Sequence, residues 1–133
     1  MSQPGSNRPS PKGWTRVSSG LPIGVALGAG IWILSASVTG HSEPWDAPGM
    51  YYPAALLAAG VIGGSLVPAH WAEVAIGVFT GQAVVLLARV LADPGGGGRW
   101  PLGVVLLGVY SLLALLGAAG GAGLRRASAG NRH

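Results

Sequence analysis

PLGVVLLGVYSLLALLGAAGGAGL, residues 101–124, holds no charged side chain. A helix crossing a bilayer needs about 20 consecutive apolar residues, so this stretch alone is long enough to span one. Pro101 opens it and suits a first helical turn, where a missing N–H costs nothing. Arg125 and Arg126 end the apolar run.

Working outward, the same grammar repeats. Asp93-Pro94 and four glycines at 95–98 form a loop between this run and the one before it. The glycines suit a flexible connection, and no G-x-x-x-x-G-K-[ST] pattern makes them a phosphate loop. Ala72 to Leu91 is the preceding run, and PAHW, residues 68–71, separates it from another apolar run that ends at Val67. A link this short demands an antiparallel helical hairpin. The earlier run is brief, and Tyr51 and Tyr52 bring it nearer spanning length. HSEPWDAPG, residues 41–49, is a polar loop whose prolines resist helix. Leu21 to Thr39 is the first run, with Pro22 in its first turn and Gly40 after its end.

Composition agrees. Of 133 residues, 8 are Lys or Arg and 4 are Asp or Glu, while 50% are hydrophobic. A soluble domain carries about a quarter charged residues. The mean hydropathy is +0.50. These values exclude a water-soluble globule and a disordered chain. With no cysteine, thiolate metal sites, cysteine nucleophiles and disulfides are absent.

The predicted fold is an all-α membrane protein, a bundle of four transmembrane helices with both termini cytoplasmic. Residues 1–20, rich in Ser, Pro and Gly, read as a disordered cytoplasmic tail with an interfacial anchor at Trp14. Residues 21–124 form the four-span domain, with spans at about 21–39, 51–67, 72–91 and 101–124. Residues 125–133 form a short basic cytoplasmic tail. Arg8, Lys12, Arg16, Arg125, Arg126 and Arg132 lie on the tail side, against Arg89 and Arg99 opposite, which sets the orientation. The net charge of +4 is therefore topogenic and calls for no nucleic-acid partner. Trp14 and Trp71 fall at the inner interface, and Trp45, Tyr51, Tyr52 and Trp100 at the outer one. Trp32 and Tyr110 sit at mid-depth, outside that pattern. The expected location is a bacterial inner (cytoplasmic) membrane, multi-pass. An alternative takes residues 1–40 as a cleaved signal with Ser35-Ala36-Ser37 near the cut, but its basic and apolar regions are both too long.

Ionisable residues inside a membrane are the first functional candidates, and the central layer has none. Glu73 and Arg89 stand at opposite mouths of the third span, where each complements a helix end. The candidate polar core is Gln82, with Thr80 beside it and Tyr110 and Ser111 at the same depth on the fourth span. An amide in hydrocarbon needs a partner, so these groups form either an interhelical hydrogen bond or the lining of a polar pocket. His41, Glu43, Trp45 and Asp46 form a candidate outer-loop cluster. His41, Glu43 and Asp46 could take a hard cation or Zn²⁺, but Pro44 interrupts them, and a solvated acidic loop is the simpler reading. His41 and His70 belong to opposite faces, roughly 30 Å apart, so they cannot share one haem. No catalytic motif and no cofactor is implied. Glycines four apart number five pairs, Gly20/Gly24, Gly24/Gly28, Gly60/Gly64, Gly77/Gly81 and Gly117/Gly121. About four are expected by chance at this glycine content, so the count alone marks no helix-packing motif. Glycine and alanine faces nevertheless let backbones approach closely, so the bundle is expected to be held by close Gly/Ala packing and a few polar contacts.

Glu43-Pro44-Trp45-Asp46, Tyr51-Tyr52-Pro53, Trp71 and Gly81-Gln82 resemble a group of small bacterial membrane proteins. In that group an E-P-W-D loop precedes the second helix and a G-Q pair sits in the third. The resemblance covers roughly residues 20–125. It implies four spans and no assigned activity. The PAHW turn departs from it, because it lacks the cations expected there.

The expected function is that of a structural or accessory protein, not an enzyme. Its partners are membrane lipid and either a membrane-protein partner or further copies of itself. The alternative is a small-solute channel or transporter acting as an oligomer, which needs a polar file through Gln82, Thr80, Tyr110 and Ser111. A membrane-embedded enzyme would have to draw on Glu73, His70 or the outer loop.

Overall fold

The computed structural model describes residues 19–41, 43–95 and 99–132. The expected disordered tail, with Trp14, lies outside the described residues apart from Ser19 and Gly20, as does His133. Among the described residues there are four α-helices and no strands: α1 (Gly20–Thr39), α2 (Tyr51–Leu66), α3 (Trp71–Ala92) and α4 (Trp100–Gly130). A short 3-10 turn, Pro44–Asp46, joins α1 to α2.

Each boundary has a local cause. Gly40 takes a left-handed φ of 74° and its N–H closes on the Ala36 carbonyl, which ends α1. Val67–His70 turns the chain between α2 and α3, with the His70 N–H on the Val67 carbonyl at 2.9 Å. Pro101 lies in the first turn of α4. α4 runs six residues past the end of the apolar run at Leu124, through Arg125 and Arg126. Apolarity marks where hydrocarbon ends, whereas Arg and Ala remain strong helix formers in water.

Helices α1, α3 and α4 are long and apolar enough to cross a membrane. α2 has 16 residues, about 24 Å at helical rise, which is short of a bilayer core of about 30 Å.

α1 packs chiefly on α3, and α2 on α4. Both pairs are parallel. Gly20 lies against His70 and Glu73, Gly24 against Val74 and Gly77, and Gly28 against Val78. Likewise Gly117 lies against Leu57 and Gly60, and Gly121 against Val61 and Ser65. All five glycine pairs noted above lie in these two interfaces. A Cβ on Gly24 would stand 2.8 Å from the Gly77 Cα, and one on Gly77 would stand 2.8 Å from the Gly24 Cα. Only glycine permits that approach, and close backbone packing is what holds helices together where apolar burial offers no gain.

The start of α1 and the end of α4 both meet the α2–α3 turn, where an Arg126 guanidinium N–H donates to the Pro68 carbonyl at 2.6 Å. This basic end of the bundle is the glycine-packed half. The opposite end, beneath the Pro44–Asp46 turn, is filled by large side chains: Trp32, Tyr52, Leu56 and Leu107 are almost wholly buried there. Outward-facing positions are large and apolar, with Ile33 65%, Val105 62% and Leu116 65% exposed. Large aliphatics facing outward reverse the pattern of a protein dissolved in water.

Candidate functional site

Gln82 is fully buried on α3, and two donors from other helices converge on its carbonyl oxygen. The Tyr52 hydroxyl of α2 donates at 2.6 Å, and the Trp32 indole N–H of α1 donates at 3.4 Å. The Gln82 amide nitrogen donates to the Val78 carbonyl one turn back, at 3.2 Å. Two donors facing one atom fix which end of the amide is oxygen. The amide oxygen and one of the amide N–H groups are thus partnered within three helices.

Rings cover this knot on the loop side. Trp45 meets Trp32 edge to face with centroids 4.9 Å apart, and Tyr52 lies 4.9 Å from Tyr110. Arg89, in the last turn of α3, places its guanidinium carbon 5.1 Å from the Trp32 ring centroid. A guanidinium over an indole face is favourable, and more so when shielded from water. One of its N–H groups also reaches the Trp32 carbonyl at 3.5 Å. Arg89 therefore ties α3 to α1 rather than only extending toward solvent. Glu73 lies at the far end of α3, its carboxylate 3.3 Å from the His70 ring.

The candidate polar core of the sequence reading does not form one cluster. Tyr110 joins Gln82 only through Tyr52. The Thr80 hydroxyl donates back to the Ile76 carbonyl at 2.8 Å. Ser111 faces a separate apolar groove between α3 and α4, beside Ile76 and Phe79, and its hydroxyl has no hydrogen-bond partner among the described residues. Trp32 and Tyr52, the actual partners of Gln82, were not among the candidates. Trp32 did carry a signal, being an indole at mid-span, where a buried N–H has to find an acceptor.

The outer-loop cluster divides too. Pro44 is buried, and the Trp45 indole N–H donates to the Glu43 carboxylate at 2.8 Å. His41 contributes its carbonyl, which accepts from the buried Ser35 hydroxyl at 2.9 Å, while His41 itself is exposed. Among the described residues, no group of three His, Asp or Glu side chains is close enough to hold a metal ion.

Beside this loop lies a cavity of about 320 Å³. Glu43, Asp46 and Arg99 supply its charged groups. Trp45 and Trp100 supply aromatic surface, and Leu86, Val90, Leu102 and Leu106 an apolar wall. Gly103 keeps it open, since a Cβ there would lie 3.4 Å from the Trp45 ring and 3.2 Å from Leu86. Gln82 is not part of its lining. The arrangement offers recognition by charge, ring and apolar contact, without a nucleophile beside a base.

No protein-family model, curated protein or solved structure matches the chain. The resemblance to the E-P-W-D group thus rests on its motif residues. Of those residues, Trp45 packs on Trp32 and Tyr52 donates to Gln82, Gly81 lies against α1, and Trp71 begins α3 at the other end of the bundle.

Proposed function

We propose that this chain is a four-span integral protein of the bacterial inner membrane, with both termini cytoplasmic, acting as a structural or accessory component beside partner membrane helices. The observation that carries this reading is the closure of Gln82. The deepest amide turns its oxygen to two donors inside the bundle and an N–H back to its own helix, which argues against a polar file for a solute to follow. The glycine face of α1 is filled by α3, which favours counting α1 as a retained span. α2, though short, fits as a span because the Pro44–Asp46 turn and the Val67–His70 turn extend it at either end. Gly108, Gly120 and Gly123 of α4 meet nothing within 4 Å, which leaves small-residue surface for a neighbouring helix.

Topology is tested by reporter fusion. A phosphatase fused after His133 should stay inactive, and the same enzyme inserted in the glycine loop should be active. The reverse pattern would overturn the orientation. Function is tested with protein reconstituted in liposomes. Entrapped monovalent ions and small neutral solutes should leak no faster than from empty vesicles. Mild-detergent extraction from the native membrane should yield a stoichiometric complex with another membrane protein. Solute flux that Gln82→Leu abolishes would favour the channel instead.

A further inference from the structure

The cavity beside the Pro44–Asp46 turn has a composition that a structural void does not require. It is an open recess in which Asp46 and Arg99 are exposed, and it collects two carboxylates and a guanidinium around an aliphatic wall. A simple anion would meet Glu43 and Asp46 against Arg99 alone. A simple cation would face Arg99. A molecule bearing both signs satisfies all three groups.

The positions of the charges suggest which end goes where. Arg99 immediately precedes α4; Pro101 has no N–H and that of Gly103 closes on the Arg99 carbonyl, which leaves those of Trp100 and Leu102 at a terminus that favours negative charge. Phosphate is the anion such a terminus binds best, and guanidinium matches its oxygens. Glu43 and Asp46 lie on the opposing loop with Trp45, whose ring face and neighbouring carboxylates suit an ammonium group. Leu102, 58% exposed, carries the wall outward along α4, and Leu106 continues it one turn deeper. An acyl chain descending from the phosphate would lie along that wall.

We infer that this cavity binds one zwitterionic phospholipid of the phosphatidylethanolamine type, phosphate toward Arg99 and the α4 N-terminus, ammonium toward Glu43 and Asp46. The inference rests on the reading that this end of the bundle lies at a bilayer surface.

The test uses the full chain in mild detergent, with native mass spectrometry after addition of dioleoyl phosphatidylethanolamine or dioleoyl phosphatidylglycerol. One equivalent of the ethanolamine lipid should be retained in preference to the glycerol lipid. Arg99→Gln should weaken its retention about tenfold, as should the pair Glu43→Gln and Asp46→Asn together. Asp46 and Arg99 are exposed, and Gln at 43 still accepts from Trp45, so melting should not change. Equal retention of both lipids, or variants that bind like the parent, would overturn the proposal. Free O-phosphoethanolamine binding as tightly as the lipid, measured by calorimetry, would overturn the lipid as the ligand. Failure of the membrane reading has a different sign, a chain that stays monodisperse once detergent is withdrawn.

Discussion

Gly77→Val should abolish recovery of folded, monodisperse protein. The added Cβ would stand 2.8 Å from the Gly24 Cα and 2.9 Å from the Val25 nitrogen. Both are backbone atoms, which cannot rotate aside as a side chain can. Extra methyl groups in a packed core cost about 1–3 kcal/mol where side chains yield, and more where they do not. Here the helices themselves must part, which breaks the neighbouring Gly28 and Gly81 contacts as well. The loss should therefore exceed about 3 kcal/mol. Gly64→Val tests the second pair in the same way, with its Cβ 2.7 Å from the Ala118 Cα. Gly30→Val is the control, since nothing lies within 4 Å of it. It should melt within about 0.5 kcal/mol of the parent, as surface substitutions usually do. Size-exclusion profiles and thermal melts in one detergent give the readout. A Gly77→Val protein that melts like the Gly30→Val control would contradict the α1–α3 packing.

Gln82→Leu should cost about 2 kcal/mol, and Tyr52→Phe in the same chain should recover much of it. The magnitude lies between two effects. A buried donor left without an acceptor costs about 1–3 kcal/mol, and this substitution strands two, from Tyr52 and Trp32. Interhelical bonds within membranes average only about 0.6 kcal/mol, because the unfolded helices find other partners. The stranding should dominate, since Gln82 is fully buried and rings shield it on its loop side. Adding Tyr52→Phe removes one orphaned donor, so the double variant should be more stable than Gln82→Leu alone. The thermodynamic cycle over the four proteins measures this coupling. Strictly additive losses would show that the hydroxyl and the amide do not depend on each other.

The helices were legible because charge, proline and glycine punctuate this chain sharply. The apolar runs at 21–39, 51–67, 72–91 and 101–124 correspond to α1 to α4 within a residue or so, except at the far end of α4. There Arg125 and Arg126 end the apolar run but not the helix. The azimuth of each helix was not legible. On a rod that is apolar all round, no stripe announces which face is buried. Gln82 could thus be named from its depth, while its partners could not. Chain order suggested α4, through Tyr110 and Ser111, but the hydrogen bonds came from α1 and α2. The glycine pairs were passed over for a related reason. Their number is near the chance value, but a count discards position. Each helix carries at least one pair, and each pair sits where a neighbouring backbone passes. The outer cavity was beyond reach because it joins three segments distant in sequence, within residues 43–46, 86–90 and 99–106.

On the proposed four-span reading, the unequal lengths of α2 and α4 bear on the surrounding lipid. α4 has 31 residues and lies alongside an α2 of 16. At helical rise the apolar part of α4, residues 101–124, is about 36 Å and α2 about 24 Å. Acyl chains next to α2 would have to shorten or splay, whereas those next to α4 could stay extended. Hydrophobic mismatch of this kind carries a fraction of a kcal/mol per Å. A lopsided collar of lipid would gather the molecule into thinner regions of the bilayer and draw thin-walled neighbours to its α2 flank.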